Sequence, residues 1–246
     1  MNPGDLITAD ELNGIRDSIL TDIVGGPGIG TSKIGNKVVV QKTRRDIIPT
    51  TTGRVYLGLV GAPDDIGVYD TNGRFIQQYN PYPPNIVSPT DVVIYKGNLY
   101  EADQTDRIIV TDLAGNFLRT WGTSGSGDGQ FVNPEGICAH NDLIYVSETG
   151  GNERIQVFDT VGNFVRKWGG PGSADGEFNN PRGLFVYNDL LYVGDLSNNR
   201  VQVFDLTGNF QRKWTLPNAG NPQDIFVYKD LCYIADLDHK IHIFTL

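Results

Sequence analysis

RIQVFDTVGNFVRKW occupies residues 154–168, and RVQVFDLTGNFQRKW occupies residues 200–214. Near-copies within one chain mean a structural repeat, and the repeat decides the fold before any local reading does. Four segments align: GVYDTNGRFIQQY (67–79), IVTDLAGNFLRTW (109–121), QVFDTVGNFVRKW (156–168) and QVFDLTGNFQRKW (202–214). Their Asp-x-x-Gly turns start at Asp70, Asp112, Asp159 and Asp205, spaced by 42, 47 and 46 residues. A second set interleaves: DVVIYKGNLYEAD (91–103), GICAHNDLIYVSE (136–148), GLFVYNDLLYVGD (183–195) and DIFVYKDLCYIAD (224–236). Each segment is two short β-branched and aromatic runs joined by a polar turn, the pattern of a hairpin.

Asp at the first turn position accepts hydrogen bonds from the turn's own backbone, and Gly at the fourth adopts the left-handed conformation of a bulged hairpin loop. Each period therefore encodes four strands, named a to d outward from an axis, and no helix. Periods of this length with paired hairpins predict an all-β fold, a β-propeller with four-stranded blades. Blade 2 spans 89–133, blade 3 134–180 and blade 4 181–221, and blade 5 starts at Pro222 and runs to strand c, KIHIFTL. Residues 45–80 supply a divergent blade 1, giving five blades in a domain of residues 36–246. NKVVVQK (36–42) is then available as the outer strand of blade 5, which would join the two ends of the domain and remove an open edge.

Composition is that of a folded domain: 39% hydrophobic and 20% charged residues in a chain of 246. The net charge is −9, and residues 1–44 hold as many bases as acids, so the acidic excess falls on the propeller. An acidic body repels phosphate backbones and argues against nucleic acid as a partner. No apolar run is long enough to span a membrane, and MNPGDLITADEL has no secretion-signal pattern. Cys138 and Cys232 sit in apolar runs and read as buried thiols.

The repeats resemble NHL repeats, with P-x-G-(I/L) opening strand a, IYV-x-(D/E) in strand b, R-(I/V)-Q-V-F-D in strand c and G-N-F before strand d. The connectors GTSGSGDGQFVNP (122–134) and GGPGSADGEFNNP (169–181) are similar to that family's linkers. Asp103 with Arg107, Glu148 with Arg154, Asp195 with Arg200 and Asp236 with Lys240 read as structural carboxylate–cation pairs across the b–c turn. Trp121, Trp168 and Trp214 recur at one strand position and read as packing between blades. The resemblance also implies two activities. Some relatives are lyases with histidine-bound metal at the propeller centre, but His140, His239 and His242 fall on different parts of the blade, so no metal, cofactor or catalytic set is expected. Others bind RNA through a basic face, whereas Arg119, Arg166, Lys167, Arg212 and Lys213 spread around the rim.

Residues 1–35 differ in kind. Thr8 and Glu11 form a capping box, Leu12, Ile15, Ile19, Leu20 and Ile23 share one helical face, and Gly25-Gly26 ends the run, predicting a helix over 9–23. A lone amphipathic helix needs a surface for its apolar stripe, in cis, on a copy of itself or on another protein. GDLITADELN followed by GPGIGTSKIGNKVVVQ is similar to N-terminal segments of tailed-phage virion proteins, and on that reading Lys37–Lys42 could instead belong to the N-terminal module.

Residues alike in every blade build the scaffold; the unlike ones are left for function. Thr90, Glu135, Arg182, Gln223 and Asp46 occupy one blade position at the axial mouth and differ from each other, and Tyr82 and Asn85 lie in a connector on the same face. The expectation is a non-enzymatic binding or structural module of a phage virion, such as a tail fibre, head fibre or capsid decoration. Residues 1–35 would anchor it to itself or to other virion proteins, and the propeller would face a host glycan or protein. The rivals are a cytoplasmic NHL scaffold for protein interactions and an NHL-type lyase.

Overall fold

The computed structural model describes residues 48–49, 54–58, 66–70, 75–79 and 89–246, apart from 229, 238 and 239. The helix expected over 9–23, its stripe of Leu12, Ile15, Ile19, Leu20 and Ile23, and the strand expected over 36–42 lie outside the described residues.

The described residues form five antiparallel sheets in chain order, each a blade of a β-propeller. Blade 1 comprises β1 (Ile48–Pro49), β2 (Arg54–Gly58), β3 (Ile66–Asp70) and β4 (Phe75–Tyr79). Blade 2 comprises β5 (Pro89–Tyr95), β6 (Asn98–Asp103), β7 (Arg107–Asp112) and β8 (Phe117–Trp121). Blade 3 comprises β9 (Pro134–His140), β10 (Leu143–Glu148), β11 (Arg154–Asp159) and β12 (Phe164–Gly169). Blade 4 comprises β13 (Pro181–Tyr187), β14 (Leu190–Asp195), β15 (Arg200–Asp205) and β16 (Phe210–Thr215). Blade 5 has three strands among the described residues: β17 (Pro222–Tyr228), β18 (Leu231–Asp236) and β19 (Ile241–Thr245). The a strands β5, β9, β13 and β17 lie side by side in succession, which places them innermost.

Turn chemistry sets the registers. The a–b turns Lys96-Gly97, Asn141-Asp142 and Asn188-Asp189 have positive φ at both residues, the primed geometry whose twist matches the strands. In the c–d turns the Asp carboxylate gathers its own loop: Asp159 Oδ1 accepts from the N–H groups of Val161, Gly162 and Asn163, and Oδ2 accepts from Asn163 Nδ2 at 2.7 Å. Gly162 has φ 103°, and a Cβ there would stand 2.7 Å from Trp121 of the preceding blade, so turn and blade contact both require glycine.

The core lies between sheets. Ile155 and Val157 of blade 3 pack with Leu184, Leu191, Val193 and Phe204 of blade 4, and the same pattern joins blade 2 to 3 and blade 4 to 5. The tryptophans bridge blades as expected: Trp121 to Phe158 at 5.9 Å, Trp168 to Phe204 at 6.1 Å and Trp214 to Phe244 at 5.8 Å between ring centroids. Burial of these aromatic faces adds to the aliphatic core, and its repetition explains why the c–d sequences are nearly the same.

Candidate functional site: the axial mouth and its clamped connectors

At the start of strand a, blades 2 to 5 each contribute Pro-x-(Gly/Asp), and the x residues Thr90, Glu135, Arg182 and Gln223 come together. With Asp91, Gly136, Gly183 and Asp224 they line one cavity of about 50 Å³. That holds a few waters or the end of one side chain, against the roughly 300 Å³ at the lower end for small-molecule pockets. Arg182 is the hub: its Nη1 lies 3.8 Å from Glu135 Oε2 and 3.4 Å from Gln223 Oε1, and its Nε donates to Asn180 Oδ1 at 3.4 Å. Gln223 Nε2 is buried with no protein acceptor among the described residues. Thr90, buried, donates from Oγ1 to Pro134 O at 2.6 Å and so ties blade 2 to blade 3. Asp46, Tyr82 and Asn85 lie outside the described residues.

Close approach of the innermost backbones shapes this mouth. A Cβ on Gly136 would stand 2.3 Å from Arg182 O, and one on Gly183 would stand 2.7 Å from Asp224 Cα. Ser147 Oγ fills the joint by accepting from Gly136 N at 2.9 Å and donating to Arg182 O at 2.7 Å. Where blades 2 and 5 have aspartate, its carboxylate caps backbone instead: Asp91 accepts from Val92 N and Ile137 N, and Asp224 accepts from Ile225 N.

In blades 3 and 4 the carboxylate–cation pair of Glu148 with Arg154 and of Asp195 with Arg200 does more than fix a b–c turn. Arg154, buried, donates from Nε to Glu148 and from its two terminal nitrogens to Ser126 O, Gly127 O and Gln130 O in the connector from blade 2 to blade 3. Arg200 repeats this, with Nε on Asp195 at 2.7 Å and Nη atoms on Ser173 O, Ala174 O and Glu177 O. Gln156 and Gln202, fully buried, complete each clamp by donating to the same carboxylate and to one of those carbonyls. These glutamines were not singled out from the sequence, although the Q of RIQVF and RVQVF stands at one position in both copies. Connectors 122–133 and 170–180 are thereby held on the face that carries the mouth, each plugged by a buried Phe131 or Phe178.

The outer blades weaken the pattern. Arg107 Nε is 3.8 Å from Asp103 Oδ1, and burial raises the Asp103 pKa although Thr105 donates to the carboxylate. At Asp236 the expected partner is joined by another: Lys240 donates its backbone N–H at 2.8 Å, while His242, in the place of Gln202, lies 2.7 Å from Oδ2. Burial pushes Asp236 upward, but the bonds from His242 and the Lys240 N–H outweigh it and leave its pKa below the ordinary value.

The rim bases are engaged with protein groups. Arg119 donates to Thr160 O and Arg166 to Leu206 O, each across a blade boundary. Arg212 stacks 4.9 Å over Trp214, and Lys167 and Lys213 pair with Asp128 and Asp175 of the connectors. Among the described residues no group of three or more His, Cys, Asp or Glu is placed to hold a metal, and no helix is long and apolar enough to cross a membrane.

The geometry defines a β-propeller. A family described as a 6-bladed β-propeller, DUF5128, matches residues 126–234, whereas the described residues form five sheets. Solved structures share the fold at low identity. A chain in a nidogen/laminin complex matches with TM-score 0.64 and 18% identity over 80% of this chain and 73% of that one. A streptogramin B lyase matches with TM-score 0.58 and 18% identity, covering 81% and 67%. A computationally designed protein, Ika8, matches with TM-score 0.55 and 13% identity, covering 79% and 68%. No curated protein matches the sequence.

Proposed function

We propose that this protein is a non-catalytic binding module, a homo-oligomeric structural component of a tailed-phage virion anchored through residues 1–35. The observation that carries the binding reading is the meeting of four unlike residues, Thr90, Glu135, Arg182 and Gln223, in one cavity of a scaffold that otherwise repeats. A repeat scaffold needs like residues for packing, so unlike ones at one mouth are free to serve recognition. The cavity's size favours a protein partner that inserts one side chain, with the clamped connectors as the rim. The anchoring half of the proposal is supported by the similarity of residues 1–42 to N-terminal segments of virion proteins.

Removing residues 1–30 tests the anchor. The expected result is a propeller that keeps a cooperative thermal unfolding transition but no longer self-associates; unchanged association would refute it. Arg182→Ala tests the mouth, with loss of attachment to host cells expected and wild-type attachment counting against recognition there.

A further inference from the structure

Arg182 is bonded differently from the arginines of the scaffold. The terminal nitrogens of Arg154 and Arg200 meet connector carbonyls at 2.7–3.0 Å, so those forks are spent on the fold. Arg182 reaches Asn180 Oδ1 and Gln223 Oε1 at 3.4 Å each and Glu135 Oε2 at 3.8 Å. All of these exceed the roughly 3.2 Å of a good N–H···O bond, and Nη2 meets no acceptor among the described residues. Gln223 Nε2, buried in the same wall, is a second donor without a protein acceptor there. The spare capacity of this wall is therefore for donating. It suits a ligand oxygen, and not an ammonium, which accepts nothing.

A carboxylate and a carboxamide both present such an oxygen, and they are planar and nearly the same size. The cavity of about 50 Å³ admits either, so volume does not choose between them. Charge does. Glu135 lines the cavity with Arg182, is 14% exposed at its side chain and already offsets the guanidinium. A second carboxylate would meet it across the cavity, on a propeller that carries the whole net charge of −9. A carboxamide escapes that repulsion, and its amino group brings Glu135 a donor.

We propose that the mouth recognises the carboxamide of an asparagine or glutamine on a protein partner. Its oxygen accepts from Arg182 Nη2, its nitrogen donates to Glu135, and Glu135 is the residue that turns away aspartate and glutamate. This rests on the reading of the mouth as a recognition site given above.

The test is a titration of the full chain, labelled with nitrogen-15, with propionamide and with propionate, the side-chain ends of glutamine and glutamate. NMR follows the Arg182 Nε–H and the backbone amides of Glu135, Gly136 and Gly183. Propionamide should shift these signals, and propionate should bind at least about tenfold more weakly, because like charges brought together suppress the wrong ligand. Glu135→Gln should abolish the preference and let propionate bind as well as propionamide; the wild-type comparison stands without that variant. Propionate binding as tightly as propionamide to the wild type overturns the proposal and leaves the mouth a recognition site for another group. Tighter binding of N-acetylglucosamine than of propionamide would assign the cavity to a sugar acetamide and overturn the protein partner. Silence from all the probes overturns the proposal as well. Wild-type attachment of Arg182→Ala is a separate failure: it sinks the recognition reading whatever the probes show.

Discussion

Replacing Arg154 with alanine should cost far more than replacing Arg107, although both answer to the same sequence position. Arg154 is 8% exposed at its side chain and Glu148 is 0% exposed, and loss of one member of a buried ion pair costs about 3–5 kcal/mol. Glu148 would keep Gln156 Nε2 at 2.8 Å, Asn152 Nδ2 at 2.7 Å and Val132 N at 3.0 Å, which holds the cost near the lower bound. Ser126 O would also lose its donor, whereas Gln130 O would keep Gln156 Nε2 and Gly127 O the Gln130 N–H. About 3 kcal/mol in a domain of this size corresponds to a Tm lower by roughly 6–12 °C. Arg107 is 26% exposed and 3.8 Å from Asp103, beyond hydrogen-bond reach, so its loss should cost less than loss of the Arg154 fork. Differential scanning fluorimetry of Arg154→Ala, Arg154→Lys and Arg107→Ala distinguishes a connector clamp from a local turn pair. Lysine keeps the charge but not the fork of donors, so Arg154→Lys should fall between wild type and alanine. Equal shifts for Arg154→Ala and Arg107→Ala would refute the clamp.

Further expectations can be measured directly. Gly136→Ala should destabilise by about 1–3 kcal/mol in urea melts, because its Cβ meets the Arg182 carbonyl at 2.3 Å; an unchanged midpoint would mean that the innermost strands are looser than described. The Thr207 hydroxyl and the Asn209 amide, with backbone N–H groups, hold the Asp205 carboxyl well below the usual carboxylate range. A depressed pKa contributes stability that is present above the unfolded value near ~4 and lost as pH falls through the folded one. Asn209→Ala should therefore raise the Asp205 pKa in a carbon-13 NMR titration and weaken the dependence of stability on acid. Burial pushes the Cys232 thiol up to about 12, so a thiol reagent at neutral pH should label it only on unfolding, and rapid labelling of the native protein would contradict its placement.

Much of this was legible in the residues. The period, the Asp-x-x-Gly-Asn turns and the tryptophan position report local hydrogen bonding and contacts that every blade repeats, so Pro89, Pro134, Pro181 and Pro222 mark the observed blade starts. What the clamp grips was not legible, because Arg154 reaches carbonyls some 24 to 28 residues earlier in the chain, and backbone carbonyls leave no trace in side-chain pattern. The contact of Asp236 with His242 was not foreseen, since a histidine at a glutamine position breaks the repeat. The convergence of Thr90, Glu135, Arg182 and Gln223 could be expected from equivalent position, but the size of their cavity depends on how closely glycine lets neighbouring a strands approach. The opening pair of near-identical segments thus marks the scaffold, and function is sought where the blades disagree.

The most direct measurement is sedimentation velocity of the full chain beside the chain lacking residues 1–30. An anchored display module predicts a defined oligomer for the full chain and a single folded propeller for the shortened one. Identical sedimentation of the two would contradict the division into an associating N-terminal segment and an autonomous propeller.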